Sequence, residues 1–203
     1  MDQKAIVFDF GGVLMDWSPR YLYRHFFNED LAATDRFLEE IGFAAWNLEF
    51  DRGRPFAAGI AELAGRFPAY QELIEAYDER WEETLVGPIE PTVAILRALK
   101  NAGYPLFGLS NWSAEKFAGV RQKYDFFQWF EEIVLSGEVK LVKPDPLIFA
   151  YLLRKSGRRA NQCLFVDDSI HNIAVAEKLG FATIHFQSPE QLKTELQEKG
   201  LRF

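Results

Sequence analysis

The stretch AIVFDFGGVL, residues 5–14, decides how the chain is read. Ala5 to Phe8 is an unbroken apolar run, as in a strand buried on both faces of a parallel sheet; a strand with one wet face would alternate. The run stops at Asp9, and Gly11-Gly12 lets the backbone turn sharply straight after it. In open parallel sheets, ligands bind beyond the carboxyl ends of the strands, which is where Asp9 falls.

Working outward, four more short runs have the same character: Leu106 to Leu109, Ile133 to Leu135, Cys163 to Val166 and Thr183 to Phe186. Helical patterns lie between them. Pro91 sits in a first turn, Val93, Ile95, Leu96 and Leu99 form a stripe, and Gly103 ends it. Asp145-Pro146 opens a helix carrying Ile148, Phe149, Leu152 and Leu153, and Ser188-Pro189-Glu190-Gln191 reads as a capping box for a last helix. From residue 89 onward, helix and strand therefore alternate, which predicts an α/β fold with a doubly wound, Rossmann-like parallel sheet.

Between Asp16 and Gly87 the pattern is helical, with no strand. Leu22, Phe26 and Phe27, then Phe37, Leu38 and Ile41, then Ile60, Leu63 and Phe67, then Leu73, Ile74, Tyr77 and Trp81 give apolar faces for about four helices. The expected organisation is an α/β core of residues 1–15 and 88–203, interrupted by a helical cap of residues 16–87.

Composition narrows the function. With 48% hydrophobic residues and 19 Phe, 7 Tyr and 5 Trp, the chain has ample material for a core. Its 203 residues suit one domain with an insertion rather than two enzymes. A formal charge of −7 speaks against a nucleic-acid partner. The apolar runs are far below the ~18 to 20 residues of a membrane span, so no membrane partner is expected. No secretory signal is apparent, and the single Cys163 cannot form an internal disulfide; both point to a cytoplasmic protein.

The residues after each strand carry the chemistry: Asp9 to Leu14, Ser110-Asn111, the Lys140 to Lys143 segment, and Asp167-Asp168. Alone, each is a common helix cap or turn. Together they bring acids, lysine and a hydroxyl to one rim, which suits phosphoryl transfer. A carboxylate such as Asp9 can attack phosphorus if a cation offsets the repulsion. Mg²⁺ prefers hard oxygens, so Asp9, Asp167 and the Gly11 carbonyl are its expected ligands. Lys143 and Ser110 would hold the remaining phosphoryl oxygens.

These residues resemble the haloacid dehalogenase superfamily over nearly the whole chain. VFDFGGVL (Val7 to Leu14) is similar to its first motif, with Asp9 as nucleophile, and LSN (Leu109 to Asn111) to the second, with Ser110 binding phosphate or carboxylate. VKPDPLIF (Val142 to Phe149) is similar to the third, with Lys143 as the basic residue. FVDDSIHN (Phe165 to Asn172) is similar to the fourth, with Asp167-Asp168 as the acidic pair. A helical insert straight after the first motif matches the family's type 1 cap. The resemblance implies a Mg²⁺-dependent phosphatase of a small phosphomonoester, sugar phosphates among the possibilities, working through an aspartyl-phosphate on Asp9. Asn111 joins Ser110 and Lys143 at the substrate, and Asp168 and Asn172 support the metal site, Asp168 orienting a metal water or accepting from Lys143.

One position departs from the pattern. Phosphatases of this family usually carry a second aspartate two residues after the nucleophile as general acid and base; here that residue is Gly11. In its Asp-x-Gly-x-Val the chain resembles the glucose-1-phosphate phosphatase-like members. The 2-haloacid dehalogenases also lack that acid and use no metal, but they carry Ser and Asn where this chain has Asp167-Asp168. The acidic pair favours phosphate; dehalogenation on Asp9, or a non-catalytic binding protein, stays open as an alternative. Asp16, Trp17, Arg20, Trp46, Asn47, Asp51 and Arg52 are candidates for gripping the leaving group, and Trp112 for walling the pocket. His171 and His185 suggest no zinc site, and Cys163 reads as a buried strand residue.

Overall fold

A computed structural model describes residues 4–203. Its main sheet has five parallel strands: β1 (Ala5–Phe8), β4 (Leu106–Ser110), β5 (Glu132–Leu135), β6 (Cys163–Asp167) and β7 (Ala182–His185), in the order β5-β4-β1-β6-β7. Ala5 and Val7 point into one apolar cluster, and Ile6 and Phe8 into the other; β6 does the same, with Cys163 and Phe165 on one side and Leu164 and Val166 on the other. That two-sided burial is why the runs are continuous. The helices α6 (Glu90–Asn101), α7 (Ala114–Lys123) and α11 (Pro189–Glu198) cover one face, and α9 (Pro146–Ser156) and α10 (Ile170–Lys178) the other.

The order of the strands positions the site. After β1 the chain builds outward through β4 and β5, then crosses to the other side of β1 for β6 and β7, so the strand order reverses between β1 and β6. Phe8 pairs with Val166, and the Asp9 N–H donates to the Val166 carbonyl at 2.9 Å. Asp9 and Asp167 therefore leave their strands side by side at the topological switch point, where such sheets bind ligands.

Residues 16–87 differ from the expectation in two ways. They contribute to a second sheet: β2 (Met15–Trp17) pairs antiparallel with β3 (Leu85–Pro88), Met15 opposite Pro88 and Trp17 opposite Leu85. Three residues with an aspartate in the middle are too short for a strand pattern to show. Between these strands lie five α-helices rather than about four: α1 (Pro19–Tyr23), α2 (Leu31–Glu40), α3 (Phe43–Asp51), α4 (Phe56–Arg66) and α5 (Gln71–Glu79). The missed helix is α3, whose Phe43, Ala44, Ala45, Trp46, Leu48 and Phe50 are apolar nearly all round and so give no stripe.

α3 is fixed by aromatic packing. The Phe50 and Phe56 rings stack with centroids 4.1 Å apart, and Tyr77 packs edge-on against Phe43 at 5.1 Å. Gly59 lets α4 approach, because a Cβ there would lie 2.3 Å from the Phe50 ring; its carbonyl also accepts from the Trp46 indole at 3.1 Å. Phe50 is fully buried and has nowhere to go. Gly59→Ala is expected to destabilise the protein by about 1–3 kcal/mol, as overpacking does; urea unfolding checks this, and an unchanged midpoint contradicts it.

Candidate active site

Carboxylates from the ends of two adjacent strands, β1 and β6, meet one ammonium. Lys143 follows α8 (Ser136–Val139) and is 3% exposed; its Nζ lies 2.9 Å from Asp9 Oδ2 and 2.6 Å from Asp167 Oδ2. The Asn111 amide fixes the lysine backbone from both sides: its Nδ2 donates to the Lys143 carbonyl at 3.0 Å, and its Oδ1 accepts the Lys143 N–H at 2.8 Å. Ser110, buried at the end of β4, precedes it.

Asp167 is fully buried and accepts from the Ser169 N–H at 2.8 Å and from Asn172 Nδ2 at 2.9 and 3.1 Å. Asn172 thus orients Asp167 rather than Asp168, and Lys143 pairs with Asp167 and Asp9 rather than with Asp168. The Asp168 side chain packs over Gly12, where a Cβ would lie 2.3 Å from its Oδ2; Gly12 also has φ +72°, so glycine is required there twice over. Oxygens of Asp9, Asp167 and Asp168 come within 4.8 Å of one another, a group that could hold a metal ion. Lys140, by contrast, is exposed.

Three carboxylates around one lysine leave a formal excess of two negative charges. Burial pushes the Asp9 carboxyl up to about 7 against the pull of Lys143, and Asp167 and Asp168 push the same way. Burial, then Asp167, also raises Asp168. Burial works against the Lys143 ammonium, but Asp167 and Asp9 outweigh it and hold it above the usual lysine range.

Beside this cluster is a cavity of about 90 Å³, lined by Gly11 and Asn111 of the core and by Trp17, Asn47, Asp51 and Tyr77 among others. Of the residues suggested for gripping the leaving group, Trp17, Asn47 and Asp51 reach this cavity, and Trp112 walls it. Arg20 is instead paired with Asp35 at 2.6 Å on the surface, Asp16 accepts from the Tyr21 hydroxyl at 2.8 Å, and Trp46 is buried against Gly59. Asn47 and Asp51, both candidates from the sequence, are one turn apart on α3 and so lie on one side of it. Cys163 is buried in β6, and burial pushes its thiol up to about 11.

The sheet and its rim define a doubly wound α/β fold with acids and a lysine at the switch point. Residues 3–180 match the haloacid dehalogenase-like hydrolases, and the chain belongs to that family. It is 25% identical to a sesquiterpene phosphatase from Aspergillus oryzae, covering 90% of this chain and 89% of that one. It is also 25% identical to a D-ribitol-5-phosphate phosphatase from Bacteroides thetaiotaomicron, covering 95% and 96%. A HAD family enzyme from Bacteroides thetaiotaomicron has the same fold, with a TM-score of 0.75 at 22% identity over 92% of this chain and 95% of that one.

Proposed function

We propose that the protein is a cytoplasmic, Mg²⁺-dependent phosphatase of a small phosphomonoester that works through an aspartyl-phosphate on Asp9. The observation that carries this reading is the acidic group of Asp9, Asp167 and Asp168, of which Asp9 and Asp167 share a single lysine. A divalent cation suits its excess negative charge, and these hard oxygens suit Mg²⁺. Asp9 and Asp167 would hold the ion with the Gly11 carbonyl, with Asp168 beside them. Bound there, the ion would polarise a phosphoryl oxygen and offset the repulsion between carboxylate and phosphate.

The remaining steps belong to the chain. Asp9 attacks phosphorus, the ester oxygen departs, and water then hydrolyses the acyl phosphate. Lys143 and Ser110 hold phosphoryl oxygens as charge redistributes. Asn111 fixes the backbone of Lys143, and Asn172 orients Asp167. Residues 16–87 act as a cap on the core of 1–15 and 88–203, excluding water and limiting the leaving group to the small cavity. The two phosphatase relatives support the reaction class.

A panel of small phosphomonoesters, sugar phosphates included, assayed beside 2-haloacids tests this. Phosphate release without halide release is expected. Halide release alone would replace the reading with dehalogenation, and silence on both would leave a binding protein.

A further inference from the structure

The proposed reaction lacks a proton donor at the position that normally supplies it. Gly11 has no side chain, yet a Cβ there would meet nothing within 4 Å. Position 11 faces open space rather than packed atoms, and Gly11 and Asp51 line one cavity.

Asp51 ends α3 and is aimed from the opposite wall. Asn47 Nδ2 donates to Asp51 Oδ2 at 3.3 Å, and the Tyr77 hydroxyl donates to Asn47 Oδ1 at 2.6 Å. The carboxylate is therefore tethered within the helical segment, and it lines the same cavity as Asn111, Trp112 and Ser113 of the loop after β4. The Trp112 indole N–H, in the same wall, is buried with no acceptor among the described residues. A donor stranded in a cavity wall points to a ligand atom that accepts from it.

We propose that Asp51 is the general acid and base of this enzyme, reaching from the helical segment into the space that the side chain of residue 11 leaves empty. The assignment rests on the phosphatase reading above. In the first step, a bond forms between an Asp9 carboxylate oxygen and phosphorus while the bond from phosphorus to the ester oxygen breaks, and the protonated Asp51 gives its proton to that oxygen to release the alcohol. In the second step, water attacks phosphorus, its proton passes to the Asp51 carboxylate, and the Asp9–phosphorus bond breaks to release inorganic phosphate. Both groups return to their starting states. Burial pushes the Asp51 carboxyl up to about 7, against Lys143 and the Ser113 N–H, so the proton is available near neutrality. The titratable groups whose fields couple to Asp51 are Lys143 and Tyr77.

The test compares wild type, Asp51→Asn, Asp51→Glu and the double variant Asp51→Asn with Gly11→Asp. The substrates are the fastest alkyl phosphomonoester of the panel and acetyl phosphate, whose acetate leaves without a proton. Asp51→Asn is expected to lower kcat on the alkyl ester by about 10²-fold or more, with KM little changed. With labelled acetyl phosphate, its first step survives and its second slows, so acid quenching traps label on Asp9. Asp51→Glu recovers part of the loss, and Gly11→Asp recovers part by restoring a carboxylate to the same cavity. A purely structural role for Asp51 would slow both substrates alike, trap no label and resist rescue by Gly11→Asp; that result overturns the assignment, as does a kcat within about threefold of wild type. If wild type releases phosphate from nothing, the phosphatase reading fails and the assignment with it. If wild type is active and Asp51→Asn matches it, the assignment alone fails.

Discussion

Asp9→Asn is expected to cut phosphate release by about 10⁴-fold or more while leaving the fold intact, because a carboxamide keeps the shape of the carboxylate but is a poor nucleophile toward phosphorus. The amide oxygen can still accept the Phe10 N–H that Asp9 Oδ1 accepts at 2.7 Å; the amide nitrogen then faces Lys143 Nζ in place of Asp9 Oδ2, and the ammonium keeps Asp167 at 2.6 Å, so some stability is lost while the fold stays. The measurement is kcat at saturating substrate, with thermal unfolding of the same sample. Turnover near wild type would mean that Asp9 does not attack the substrate.

The second large effect falls on stability. Lys143→Met keeps most of the side-chain stem and removes the charge that Asp9 and Asp167 share. Asp167 is fully buried and Asp9 only 8% exposed, so neither carboxylate can turn to water for compensation. Removing one partner from a buried ion pair costs about 3–5 kcal/mol, because the uncompensated charge remains inside. Urea unfolding of Lys143→Met should show a loss of that size, and activity should disappear with it. Added Mg²⁺ should stabilise the variant more than wild type, since it then supplies the only positive charge the carboxylates can face. A variant as stable as wild type, indifferent to Mg²⁺, would show that the three carboxylates do not form the charged cluster inferred from their geometry.

Much of this arrangement could be read directly from the sequence, for a physical reason. Continuous apolar runs are the mark of strands buried on both faces, and Ala5 to Phe8 and Cys163 to Val166 have no alternation to confuse them. Once those runs are aligned as parallel neighbours, Asp9 and Asp167 must emerge together. What stayed hidden depends on tertiary contacts. β2 is three residues long and exists because β3 returns to pair with it. α3 buries only Phe43, Trp46 and Phe50, but the exposed Ala44 and Ala45 and the half-buried Leu48 are apolar too, and they blur the periodicity that would have announced a helix. Asp51, a candidate from the sequence, is carried on that helix, but only the fold shows that it lines the cavity beside Gly11. Spacing along the chain also could not say which acid Lys143 would choose; the strand register brings Asp9 and Asp167, rather than Asp168, to its ammonium.

Gly11 and Gly12 are neighbours with opposite requirements. Gly12 has φ +72° and lies under the Asp168 carboxylate, so nothing larger fits. Gly11 could carry a side chain and does not. The space it leaves borders the cavity that Asp51 of the helical segment also lines, which is what the assignment of Asp51 as general acid and base rests on.

The central claim, a metal-assisted phosphoryl transfer on Asp9, is tested most directly by following phosphate release from the best ester of the panel through one cycle of Mg²⁺, EDTA and Mg²⁺ again. Release should fall to the level of Asp9→Asn on chelation and return when Mg²⁺ is restored. Release that continues unchanged in EDTA would contradict the account, because the acidic group around Lys143 would then have to accept a phosphate dianion with no cation to offset its charge.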